Sequence, residues 1–248
     1  MKIIAIIPAR MGSSRFPGKP MKKINGLPMI QHVYKNVKKN KLLSNVVVAT
    51  CDKIIFNFIK SINGKVVMTS KKHKRASDRC SEALKIIEKK RKIKYDVVVM
   101  VQGDEPMINS NMITQAITPM IKNKKINVVN LISPIKNGKD FNDKNFIKVV
   151  HDKKYNAIYM SRAKIPFMKF KKNLNIKKQV CVIPFKRDFL IKYNNMKPTP
   201  LEKIESIDML RILENGYKLF LVNTNYFSQA VDTKKDLIKV QKYLKKKF

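Results

Sequence analysis

Arg10, Arg15 and Lys19 fall within ten residues of one another, directly after the apolar run Ile3–Ile7. A β-branched run that stops at Pro8 and opens a loop of Gly, Ser, Arg and Lys sets its cations at the carboxyl end of a first strand, where open α/β sheets bind ligands. Cations at that density suit a triphosphate; the alternative is a solvated basic loop. Spacing separates the loop from two known phosphate cradles. Gly12 and Gly18 enclose five residues where a P-loop has four, and Pro20 stands in place of the magnesium-binding Ser or Thr. No G-x-G-x-x-G follows the strand, so the dinucleotide fingerprint fails as well.

A second chemical signal is Val97–Val101 followed by Gln102-Gly103-Asp104-Glu105-Pro106, a buried strand ending in Gly and two carboxylates. A carboxylate at a strand's carboxyl end, facing a triphosphate, is a common way to hold magnesium, which makes Asp104 the first candidate metal ligand. Gly-Asp-Glu-Pro also reads as turn chemistry. Asp232 precedes a Lys-rich helical stretch and by itself reads as an N-cap sooner than as a ligand. His32, His73 and His151 form no recognisable ligand set, and no Ser/His/Asp or Cys/His nucleophile is evident.

These residues must be positioned by an alternation of short apolar runs and amphipathic stretches, which predicts an α/β fold with a mostly parallel sheet flanked by helices. Strands are expected at Ile3–Ile7, Val46–Thr50, Lys65–Thr69, Asp96–Val101, Val128–Ile132, Phe146–His151, Ala157–Met160, Val180–Phe185 and Tyr217–Val222. A helix opens at Pro28, another is capped by Ser77, and a third covers Met112–Ile121. Thr199-Pro-Leu-Glu202 is a capping box whose helix is expected to run to Gly216. The tail from Thr233 turns Leu237, Val240 and Leu244 to one face. At 248 residues the chain is expected to form one domain, 1–248, without an interdomain linker.

The formal net charge of +37 invites a nucleic-acid or membrane reading. Lysine outnumbers arginine 46 to 8, however, and is dispersed along the whole chain. Phosphate and base readers concentrate arginine for its planar fork. No nucleic-acid partner is therefore expected, and any membrane contact would be electrostatic, without insertion. Three separated cysteines offer neither a disulfide framework nor a metal pair. No signal-peptide core and no run of about 18 apolar residues is present, so a cytoplasmic protein is expected.

The segments Pro8–Pro20, VQGDEPMI, Ser161-Arg-Ala-Lys-Ile-Pro166, Pro198–Glu205 and Val231-Asp-Thr-Lys-Lys-Asp-Leu237 together resemble the 3-deoxy-manno-octulosonate (Kdo) cytidylyltransferases, in that family's order and over nearly the whole chain. The resemblance implies a nucleotide-diphospho-sugar transferase (Rossmann-like) fold with a smaller mixed sheet for sugar binding and dimerisation. It implies transfer of CMP from CTP to an acid sugar with release of pyrophosphate, for lipopolysaccharide or surface-polysaccharide synthesis, by a magnesium-dependent homodimer. Carried over by residue, Pro8, Ala9, Arg10, Ser14, Arg15 and Lys19 would hold the nucleotide, with Ser77, Arg79 and Gln102. Arg10, Lys19 and Asp104 would be catalytic, and Asp104 and Asp232 would bind Mg2+. Gln102, Arg162, Gln179 and Glu205 would face the sugar.

The chain departs from the family pattern in two places. Gln179-Val-Cys-Val-Ile183 stands where His-x-Gly-x-Tyr is usual, and Arg75-Ala76 where Ser-Gly is. A site that hydrogen-bonds substrate hydroxyls discriminates strongly when its partners change. Kdo, an amino-substituted Kdo and a nine-carbon acid sugar therefore all stay open as substrates.

Overall fold

The computed structural model describes residues 1–13, 15–135, 138–168 and 176–245. The chain divides into two compact units, one of residues 1–114 with 227–248 and one of residues 115–226.

The first unit is built on parallel strands. β1 (Ile3–Ala9) leads through a loop and a 3-10 turn (Lys19–Met21) into the short hairpin β2 (Lys23–Ile24) and β3 (Leu27–Pro28). Then follow α1 (Met29–Lys38), β4 (Asn45–Thr50), α2 (Lys53–Ser61), β5 (Val66–Met68), α3 (Ala76–Arg91), β6 (Val97–Val101) and α4 (Ser110–Lys122), within which the division falls. Four strands lie in the order β6-β1-β4-β5. β1 pairs in parallel with β4 from Ile4↔Asn45 to Ala9↔Thr50, and with β6 from Ile3↔Val97 to Ile6↔Met100. Every residue of β1, β4 and β6 is buried, as expected of parallel strands covered on both faces. The two central strands therefore end side by side, and their loops emerge together.

The second unit holds a mixed sheet. β7 (Val129–Pro134), α5 (Gly138–Asn142), β8 (Lys148–His151), β9 (Ala157–Ser161), β10 (Lys177–Val180) and β11 (Val182–Lys186) precede α6 (Arg187–Asn195), α7 (Pro200–Glu205), α8 (Leu210–Glu214) and β12 (Phe220–Asn223). The order is β12-β7-β10-β8-β9, with only the β12–β7 pair parallel. The expected α/β class, with a parallel core sheet and a second mixed sheet, is what the chain adopts; the mixed sheet, at five strands, is not the smaller one expected. The first unit is completed by α9 (Lys234–Lys245), whose Leu237, Val240 and Leu244 pack with Phe16, Ile24, Met29, Met107 and Val231.

Three local expectations are corrected. The helix expected from Thr199 to Gly216 is two helices, because Ser206 takes a left-handed conformation at φ 53° and ends α7. Glu202 and Arg211 form a buried bidentate pair across that break, at 2.7 and 2.6 Å. Ser77 is not a cap: α3 starts one residue earlier and buries it completely. The extended stretch Val180–Phe185 is divided at Cys181 between β10 and β11.

Candidate active site

Gly103 follows β6 because the end of that strand passes close to the end of β1: a Cβ there would stand 3.0 Å from the Pro8 carbonyl oxygen. Asp104 is thereby set beside the loop that leaves Ala9. That loop closes on itself where the Gly18 amide donates to the Met11 carbonyl at 2.9 Å. Gly18, at φ 69°, then starts the 3-10 turn whose first residue is Lys19. Only glycine enters this left-handed region without strain.

Asp232 arrives from the other end of the sequence. Its cap reading is wrong, since Thr233 caps α9 instead. The Asp236 amide donates to Thr233 Oγ1 at 3.2 Å, and Asp236 Oδ2 accepts from the Thr233 amide at 3.0 Å. This reciprocal pair is a capping box, and it leaves the Asp232 carboxylate available for other partners. The Val231 amide donates to the Asp104 carbonyl at 2.9 Å, which ties the two acidic segments together.

The ammonium of Lys19 lies between the two carboxylates, 2.6 Å from Asp104 Oδ2 and 3.1 Å from Asp232 Oδ1, and also donates to the Val231 carbonyl at 3.2 Å. Arg15 donates to the same Asp232 oxygen at 3.0 Å. Burial pulls the Lys19 pKa down, but Asp104 and Asp232 more than offset it, so the group stays charged above the ordinary lysine range. The other Asp104 oxygen, Oδ1, is buried and has no hydrogen-bond partner among the described residues. An unpaired buried carboxylate oxygen is costly, and a ligand or cation at that point would relieve it.

Arg15, Lys19, Asp104 and Asp232 thus come together through these ion pairs. Pro8 and Ala9 are the last residues of β1, Arg10 is exposed at its exit, and Gln102 is half-buried at the exit of β6. Ser14 lies outside the described residues. Ser77 and Arg79 are buried in α3, and Arg79 donates to Thr69 Oγ1 at 2.5 Å. His73 pairs with Glu82 at 2.5 Å, a local tie next to α3.

In the second unit Glu205 gathers the segment after β9. Its carboxylate accepts from Ser161 Oγ at 2.5 Å and from the Arg162 amide at 3.0 Å. The Arg162 guanidinium donates to the carbonyls of Glu205, Lys144 and Ser206. Beneath them the buried Lys148 ammonium donates to the carbonyls of Asp143, Phe146 and Arg162 at 2.9, 3.0 and 2.8 Å. Burial holds its pKa below the ordinary lysine value. Gln179 donates to Asn130 Oδ1 at 2.6 Å. The Asn130 amide nitrogen in turn donates to the carbonyls of Leu131 and Val180, which fixes its orientation.

Sequence reasoning missed Lys148, Asn130 and Asp236. For Asp236 a signal was present, since Thr233-x-x-Asp236 is itself a capping-box pattern. For Lys148 and Asn130 none existed: a lysine among 46, and an asparagine inside an apolar strand, have nothing local to distinguish them.

The cytidylyltransferase family model matches residues 4–220. The 3-deoxy-manno-octulosonate cytidylyltransferase of Geobacter metallireducens is 41% identical over 251 residues, covering 97% of this chain and 96% of its own length. The enzyme of the same description from Fusobacterium nucleatum is 40% identical, covering 99% and 98%. Among solved structures, CMP:2-keto-3-deoxy-manno-octonic acid synthetase complexed with CTP matches with a TM-score of 0.90 and 30% identity, each chain covered in full. A 4-diphosphocytidyl-2C-methyl-D-erythritol synthase from Anaerococcus prevotii shares the fold alone, with a TM-score of 0.65 at 16% identity. With its parallel core sheet, its acid-bridged lysine and relatives matched from end to end, the chain belongs to the cytidylyltransferases, in the 3-deoxy-manno-octulosonate cytidylyltransferase family.

Proposed function

We propose that this enzyme transfers CMP from CTP to the anomeric hydroxyl of Kdo and releases pyrophosphate. The observation that carries the reading is the Lys19 ammonium held between Asp104 and Asp232 where β1 and β6 end. A solved relative that binds CTP, and full-length relatives named for Kdo, support the choice of substrates.

Transfer at an α-phosphorus needs in-line placement and charge neutralisation more than covalent help from the protein. Arg10, exposed at the loop entrance, and Arg15 supply charge to the triphosphate. Lys19 neutralises the departing pyrophosphate. For that role its ammonium must exchange a carboxylate for a phosphate oxygen, which a flexible four-carbon stem permits. Gln102 offers its amide to the nucleotide, and the last residues of β1, Pro8 and Ala9, line the floor beneath it.

Magnesium fits the acidic pair. Asp104 Oδ1 is a buried acceptor with no partner among the described residues, and oxygen-only carboxylate ligands suit a hard divalent cation that keeps several waters. Asp104 and Asp232 would hold it. When bound, it would lower the barrier by stabilising charge on the attacking and leaving oxygens.

On the sugar side, Arg162 and Glu205 are bound to each other, Arg162 also to the Lys144 and Ser206 carbonyls and Glu205 to the Ser161 hydroxyl, so their part is to shape the Ser161–Pro166 segment around the acid sugar. Gln179, in place of the family's imidazole, favours a second reading in which an amino-substituted Kdo or a nine-carbon acid sugar is turned over as well. We place the enzyme in the cytoplasm as a homodimer serving lipopolysaccharide synthesis; no helix among the described residues is long and apolar enough to cross a membrane.

Pyrophosphate release with CTP and Mg2+ against Kdo, 8-amino-8-deoxy-Kdo and nine-carbon acid sugars tests the reading. Turnover with Kdo supports it, and preference for another acid sugar transfers the assignment to that compound. Silence with the whole panel defeats it.

A further inference from the structure

We infer that Asp52 is a positioning residue for the nucleotide loop, holding the Met11 amide so that Lys19 and Arg15 meet the triphosphate in a fixed frame. The inference rests on the reading that residues 8–20 carry the nucleotide.

Asp52 stands at the N-cap position of α2, with extended backbone at φ −110° and ψ 123°, and its carbonyl accepts the first helical hydrogen bond from Phe56 at 3.0 Å. Aspartate is among the best residues for this position because its side chain normally accepts an amide of the first helical turn. Here it makes no such bond. The carboxylate turns away from its own helix, and Oδ2 accepts the Met11 amide at 2.8 Å. Cys51 Sγ donates to the same oxygen at 3.5 Å, and the Asp52 amide donates to Thr50 Oγ1 at 3.1 Å, so the carboxylate and the backbone of Asp52 are each held.

The same Met11 peptide also closes the loop, since its carbonyl accepts the Gly18 amide. Met11 is therefore pinned at both polar groups, one to β4's exit through Asp52 and one to the residue just before Lys19. With β1 and β4 in register at Ala9↔Thr50, the tie sets the loop's departure from the sheet. Asp52 itself touches neither Lys19 nor Asp104; it acts through the Met11 backbone.

Capping and loop anchoring separate cleanly in Asp52→Ser. Serine caps α2 well but falls a bond short of Met11. Asp52→Asn keeps an acceptor oxygen at the same reach. The full chain is titrated with CTP in Mg2+ well below each variant's melting temperature. Asp52→Ser is expected to bind CTP about tenfold more weakly at an unchanged or higher melting temperature, and Asp52→Asn to stay within about threefold of the parent. Parent-like CTP binding by Asp52→Ser overturns the inference, as does an equal loss in both variants. Hydrogen exchange at the Met11 amide reads the anchor without any ligand: slow in the parent and in Asp52→Asn, fast in Asp52→Ser. If the parent fails to bind CTP the functional reading falls, while this exchange pattern still decides the role of Asp52.

Discussion

Lys19 Nζ and Asp104 Oδ2 stand 2.6 Å apart, and the second carboxylate on that ammonium comes from Asp232, at the opposite end of the chain. A cation from the first loop thus joins the two acidic segments that flank it, and it has three protein acceptors. Removing it takes the ammonium from Asp104 and leaves Asp232 with the Arg15 guanidinium alone. Lys19→Met is expected to lower kcat/KM for CTP at least about 100-fold. It is also expected to bind Mn2+ more tightly than the parent when no nucleotide is present, which paramagnetic resonance would measure. Lys19→Arg does not rescue turnover, because a planar fork cannot serve both carboxylates and a carbonyl as a point charge does.

Asp236 supports Asp232 from behind. Its carboxylate accepts the amides of Asp232 and Thr233 at 3.3 and 3.0 Å and the Thr233 hydroxyl at 2.7 Å. Asp236→Ala loses the side-chain half of the capping box, costs about 1 kcal/mol in a denaturant titration, and lowers turnover further than that stability loss explains. Asp236→Glu, which keeps the capping pattern, retains most of both.

Much of this arrangement is legible in the sequence, and for a physical reason. Strands buried on both faces of a parallel sheet must be continuous apolar runs, so β1, β4 and β6 announce themselves, and the chemistry sits where those runs stop. The break between α7 and α8 is different, because a helix through Ser206 breaks no local rule. What selects two helices is long-range, namely the Glu202–Arg211 pair and the left-handed Ser206. Asp52 reads locally as a helix cap, and only the placement of β1 beside β4 offers it a better partner. Ser77 reads locally as a cap because serine favours helix starts, yet α3 begins one residue before it and packing buries it.

The Glu202–Arg211 pair is buried on both sides, with side-chain exposures of 0% and 3%. Breaking one partner strands the other charge. Arg211→Met is expected to cost about 3–5 kcal/mol and to lower the melting temperature sharply, whereas the double replacement Glu202→Gln/Arg211→Met recovers a large part of the loss. Thermal unfolding of the three proteins checks this.

Glu214 supplies α7 with acceptors from outside the helix: its two oxygens take the Leu201 and Glu202 amides at 3.1 and 3.2 Å. Burial pushes its pKa up, but the hydrogen bonds it accepts outweigh that and hold it below the ordinary glutamate value of 4.5. A depressed carboxylate contributes stability above its unfolded pKa and loses it as pH falls through the folded one. Glu214→Gln is therefore expected to melt lower than the parent at pH 7, with the difference closing below about pH 4. A gap that persists at pH 3 would contradict this origin.

Asp104 is where the account is most exposed to test. Asp104→Asn keeps the shape and the hydrogen bond from Val231 but removes the charge that faces Lys19 and the proposed cation. Pyrophosphate release with CTP, Kdo and Mg2+ is measured for parent and variant, with melting temperature alongside. The account predicts turnover in the parent, a loss of at least about 1,000-fold in the variant, and an intact fold. Near-normal turnover by Asp104→Asn would contradict it.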